Sequence, residues 1–125
     1  MDTCFSNLKE LFHGSAYPYS YSLDDLARHY TQASSWIDYW QRTVPQSVAV
    51  IQYEDLVSEP ARVLAGVQQF LGLTLQEDLH EITRNETPVA TASSSQVREE
   101  VNRRGVGAWK KYQTYLGPLA DQLDV

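Results

Sequence analysis

Two adjacent guanidinium groups, Arg103 and Arg104, stand directly before Gly105-Val106-Gly107-Ala108-Trp109-Lys110-Lys111-Tyr112. A glycine-bearing turn that leads into a new helix offers fork donors, free backbone N–H groups and the positive end of a helix dipole to one anion. That is the chemistry of a phosphate site. On these residues alone a second reading stays open: a solvated basic face, with glycines that end one helix and free the start of another. Just upstream, Thr91-Ala92-Ser93-Ser94-Ser95 is a run of small hydroxyl residues, expected to form a loop with donors to offer.

Other chemistries find less support. His13, His29 and His80 share no ligand spacing, and Cys4 has no companion, so no metal ligands are assigned. Nucleophilic catalysis by Cys4 needs a base and an electropositive setting, and a lone cysteine is more often a small buried hydrophobe. The aromatic residues Tyr17, Tyr19, Tyr21, Tyr30, Tyr39 and Trp36 read as packing material and helix surface rather than a base-stacking platform.

Charge sharpens the anion reading. The net charge of -6 argues against a general nucleic-acid binder. Yet six of the ten basic residues lie between Arg84 and Lys111 against three acids, so that segment carries +3 and the remainder -9. With 125 residues, 42% hydrophobic and 21% charged, the chain has the composition of a soluble globular protein forming one domain or part of one. No apolar run approaches the ~18 residues of a membrane span. Met1-Asp2-Thr3-Cys4-Phe5 lacks the pattern of a secretory signal, and one cysteine cannot form an internal disulfide, so the cytoplasm is the expected location.

Several helices must position these groups. Ser22-Leu23-Asp24-Asp25 is a capping box, and Leu26, Tyr30, Ala33, Ile37 and Trp40 form one stripe, which predicts a helix from Ser22 to about Arg42. A second helix is expected to start at Ser58-Glu59-Pro60, bury Val63, Leu64, Val67, Phe70 and Leu71, and stop at Gly72. A short third begins at Thr74-Leu75-Gln76-Glu77. The last runs from about Ala108 to Leu116 and is ended by Gly117-Pro118, leaving Leu119 and Leu123 for a last turn.

Between the first two helices, Val48-Ala49-Val50-Ile51-Gln52-Tyr53 reads as a strand buried on both faces. Such a strand must pair its backbone on both sides, and no second run of comparable character exists in the sequence. Its neighbours are then another copy of the chain, a separate polypeptide or upstream sequence. The remaining reading is an exposed edge or pairing with an irregular segment.

Four blocks in order resemble the carboxy-terminal part of a bacterial sulfotransferase of the protein-sulfotransferase-related, tetratricopeptide-associated type. They are Met1-Asp2-Thr3-Cys4-Phe5-Ser6; Tyr53-Glu54-Asp55-Leu56-Val57 with Pro60; Thr91-Ala92-Ser93 with Gln96-Val97-Arg98; and Arg103 to Lys110. The resemblance implies the distal half of a P-loop-kinase-like α/β domain, here mainly α with one principal strand. It implies transfer of a sulfuryl group from 3′-phosphoadenylyl sulfate to a hydroxyl or amine. It also implies roles: Ser6, Arg103 and Arg104 on the 3′-phosphate, and Tyr53 and Thr91 beside the adenine. The arginine that partners the serine, eight positions before Ser6, would precede Met1.

The family's glycine-rich 5′-phosphosulfate loop, its catalytic base and most of its parallel strands lie upstream of the matching blocks and are absent from this sequence. Sulfuryl transfer, like phosphoryl transfer, depends on in-line positioning and charge compensation, so the chain alone is expected to be inactive, with no catalytic residue of its own. Its expected partners are a second copy or the missing amino-terminal half, with neither nucleic acid nor membrane. The competing expectation is a non-enzymatic helical module that self-associates through the orphan strand or an apolar face.

Overall fold

A computed structural model describes residues 1–12, 14–74 and 101–124. The chain divides into two compact units, Met1–Pro45 with Arg104–Val125, and Gln46–Arg103. The described residues are mainly helical, and none of them forms a strand.

The first unit holds α1 (Asp2–Lys9), a 3₁₀ turn at Pro18–Tyr21, α2 (Leu23–Thr43) and a 3₁₀ turn at Ala108–Tyr112, with a short helix at Gly117–Gln122 close to the carboxy terminus. The capping box works as its chemistry requires. Ser22 Oγ accepts a hydrogen bond from the Asp25 N–H at 3.3 Å, and the helix runs for 21 residues. Only the amino-terminal part of its stripe is enclosed: Leu26 and Ala27 are buried, whereas Tyr30, Ile37 and Trp40 are exposed. The core joins Cys4, Leu26, Ala27, Leu116 and Leu119, flanked by Met1, Phe5, Leu8, Tyr19, Leu23, Trp109 and Leu123. Distant ends of the sequence therefore close on one helix, and Gln122 Nε2 adds a 2.7 Å hydrogen bond to Asp24 Oδ1.

Three parts of this unit depart from the sequence reading. Helix α1 was not expected, although Met1, Cys4, Phe5 and Leu8 recur at helical spacing and meet in the core. Residues 108–112 form a 3₁₀ turn rather than an α-helix, since Gly107 enters at a φ of +69° and tightens the start. Gly117-Pro118 begins the closing helix instead of ending one. Proline lacks an N–H and is pre-shaped for the first turn, so it initiates as readily as it follows a stop.

The second unit holds α3 (Tyr53–Ser58) and α4 (Pro60–Phe70); the closing helix Gly117–Gln122 of the first unit is α5. Proline in the first turn opens α4 as expected. Gly72, at a φ of +67°, ends it with a Schellman motif, in which the Leu73 N–H reaches the Gln68 carbonyl at 2.9 Å and the Gly72 N–H the Gln69 carbonyl at 3.1 Å. The expected buried face is only partly covered: Val63, Leu64 and Val67 are half-buried, Phe70 and Leu71 are exposed, and Gln68 is the buried side chain of the helix.

The expected strand is a correction. Val48 to Gln52 is neither helical nor strand, and no backbone hydrogen bond of Val48–Ile51 is made among the described residues. An extended β-branched run becomes a strand only when a neighbour supplies the other half of each hydrogen bond. Tyr53 opens α3 rather than closing a strand. The helix expected from Thr74 onward lies outside the described residues.

Candidate functional site

Helix α1 packs against the 3₁₀ turn that follows the arginine pair. The Asp2 carboxylate grips the turn from below: Oδ2 accepts the Gly107 N–H at 2.6 Å and Oδ1 accepts the Trp109 N–H at 3.4 Å. One helical turn along, the Phe5 ring stacks on Tyr112, with centroids 5.0 Å apart and planes 29° apart. Lys9 lies 5.7 Å above the outer side of Phe5. The stem of Lys110 folds over Gly107, close enough that a Cβ there would meet Lys110 Cδ at 3.6 Å.

This geometry changes the reading of the turn. The sequence suggested that its backbone N–H groups are free for an external anion. Two of them are taken by an internal one. Exposed on the same two elements are Ser6, on α1 four residues after Asp2, and Arg104, where the turn begins. Residues four apart share a helix face, so Ser6 stands on the same side of α1 as Asp2, one turn along.

The other sequence-derived candidates fall elsewhere. Arg103 and Tyr53 are exposed and belong to the second unit, Tyr53 at the start of α3. Thr91 lies outside the described residues. Asp2, which joins α1 to the turn, is the residue that sequence reasoning passed over. Its signal was present, a carboxylate one helical turn before the candidate phosphate serine, but its partners are more than 100 residues away.

Burial pushes the Cys4 thiol above its ordinary range, with the amino-terminal ammonium pulling weakly the other way. Such a thiol is a core group rather than a nucleophile. His29 stacks on Tyr19 with ring centroids 3.8 Å apart. No three His, Cys, Asp or Glu side chains among the described residues are grouped to hold a metal, and no helix among them is long and apolar enough to cross a membrane. Beside the turn, Trp109, Lys110, Gln113 and Asp121 line an open cleft of about 540 Å³, whose mixed charge favours neither sign.

The chain belongs to the sulfotransferase family, whose family model matches residues 1–77. It is also similar to an uncharacterised protein of Aquifex aeolicus (strain VF5), 26% identical over 126 residues. That likeness takes in 98% of this chain and 16% of the relative, so the chain spans about a sixth of the relative's length. No solved structure matches.

Proposed function

We propose that the domain to which this chain belongs transfers a sulfuryl group from 3′-phosphoadenylyl sulfate to a hydroxyl or amine acceptor, and that residues 1–125 supply the 3′-phosphoadenosine side of the site. The observation that carries the proposal is the brace between α1 and the turn, which brings the elements bearing Ser6 and Arg104 together from opposite ends of the sequence. The donor set suits a dianion. Ser6 Oγ and the Arg103 and Arg104 forks would hold the 3′-phosphate, and the Gly107 and Trp109 amides would not, because Asp2 already uses them. Tyr53 and Thr91 are assigned to the adenine.

The donor supplies an activated sulfuryl group: the bond from sulfur to the bridging phosphate oxygen breaks, one from sulfur to the acceptor forms, and the acceptor proton passes to a base. That base and the 5′-phosphosulfate loop belong to the upstream half of a P-loop-kinase-like domain. The bacterial, tetratricopeptide-associated type is part of the same proposal, as is a reducing cytoplasmic setting. A relative about six times longer supports a large parent protein.

Calorimetric titration of 3′-phosphoadenosine 5′-phosphate tests the proposal. A saturable heat that vanishes in Arg103→Ala/Arg104→Ala supports it. No heat at millimolar nucleotide rejects it for this chain. A second reading, self-association, is favoured by the exposed Tyr30, Trp36, Ile37 and Trp40 on α2 and by a groove of about 340 Å³ whose lining includes Val48, Ile51, Val67, Phe70 and Leu71. A monomer by light scattering at high concentration rejects that one.

A further inference from the structure

A carboxylate beside a phosphate site is unfavourable unless its charge is used, because it repels the ligand and lowers the local positive potential. Asp2 spends its carboxylate on two backbone N–H groups of one turn, accepting from Gly107 at 2.6 Å and from Trp109 at 3.4 Å. The turn needs such a partner. Gly107 stands in the left-handed region, and the 3₁₀ segment after it has poorer hydrogen-bond geometry than an α-helix of its own length. The Phe5–Tyr112 stack fixes the far end of the same contact, so α1 and residues 105–112 meet at two points on one helix face.

Resting on the nucleotide reading above, we propose that Asp2 is a positioning residue. It clamps the turn to α1 and thereby sets the separation between the Ser6 hydroxyl and Arg104 before any nucleotide arrives. It touches no substrate itself. The clamp converts two weak, separately mobile contacts into one prepared anion corner, which lowers the ordering cost of binding.

The test compares Asp2→Ala and Asp2→Asn with Ser22→Ala, which removes the α2 cap and lowers stability without touching the corner. Affinity for 3′-phosphoadenosine 5′-phosphate is measured at a temperature where every variant is folded by circular dichroism. Asp2→Ala is expected to weaken binding on the order of 10-fold or more. Asp2→Asn, which keeps one acceptor oxygen for Gly107, recovers most of the loss, and Ser22→Ala leaves affinity unchanged. Binding by folded Asp2→Ala equal to that of the unsubstituted chain overturns the proposal, as does an equal loss in Ser22→Ala.

Amide hydrogen exchange separates this proposal from the reading beneath it. If the unsubstituted chain binds no nucleotide, Asp2 has nothing to position and the proposal falls. Gly107 and Trp109 amides that are protected, and lose protection in Asp2→Ala, then place the error in the nucleotide reading. Unprotected amides in the unsubstituted chain place it in the clamp itself.

Discussion

The unit built from residues 1–45 and 104–124 encloses Cys4, Leu26, Ala27, Leu116 and Leu119, whereas the described part of the other unit, residues 46–74 and 101–103, buries no hydrophobic side chain. Both contain helices with sound start and stop signals, Ser22 in one and Pro60 with Gly72 in the other. The difference lies in what meets the apolar faces. In the first unit α5 returns from the far end of the chain to cover α2. In the second, Val50, Ile51, Phe70, Leu71 and Leu73 stay exposed. Local signals make helices, and only a second surface makes a core.

Substitution at the two faces separates them most widely. Leu119→Ala empties a fully buried site and is expected to cost about 2–5 kcal/mol, while Val67→Ala, at a half-buried position, costs under about 1 kcal/mol. Urea denaturation midpoints read both, and comparable losses would erase the contrast. Next in size, Asp2→Ala strips two N–H groups of their acceptor and should cost about 1–3 kcal/mol in the same experiment.

Gly107→Ala and Gly72→Ala impose the same left-handed strain of about 1–2 kcal/mol on the two units. The first should lower the denaturation midpoint. The second should appear as helicity lost from α4, because Phe70, Leu71 and Leu73 around that end are exposed. If Gly72→Ala shifts the global midpoint as much as Gly107→Ala does, the second unit is held by tertiary contacts and the comparison must be redrawn.

The smallest effect is one of pH. The Cys4 thiol titrates higher folded than unfolded, so folding favours its neutral form. That contribution is intact below the ordinary thiol pKa of about 8.5 and is lost as the pH rises through it toward the folded value. Stability should therefore decline on the alkaline side with a slope of at most one proton, and Cys4→Ala should flatten it. A slope unchanged in Cys4→Ala assigns the decline to other groups.

How far the sequence could be read follows from how far each interaction reaches. The α2 helix was legible because its cap lies within four residues of its start, and its expected end at Arg42 falls one residue short of Thr43. Pro60 and Gly72 bounded α4 for the same reason. The Val48–Tyr53 strand misled because β-branched composition states a preference that a partner must complete. Gly117-Pro118 has the same residues whether a helix is ending or beginning, and only the return of Leu119 into the core decides between them. At the candidate site, the arginine pair was visible as residue types, and Ser6 only through the family resemblance. The Asp2 clamp was not, since it joins positions more than 100 residues apart.

The central claim, that α1 and the Gly105–Trp109 turn form one prepared corner for a 3′-phosphonucleotide, is tested most directly by amide NMR during titration with 3′-phosphoadenosine 5′-phosphate. The account predicts that the Ser6, Arg104 and Gly105 signals move together along a single saturating curve. Signals of Ser6 and Arg104 that stay fixed while nucleotide reaches millimolar concentration, or that follow curves with different midpoints, would contradict it.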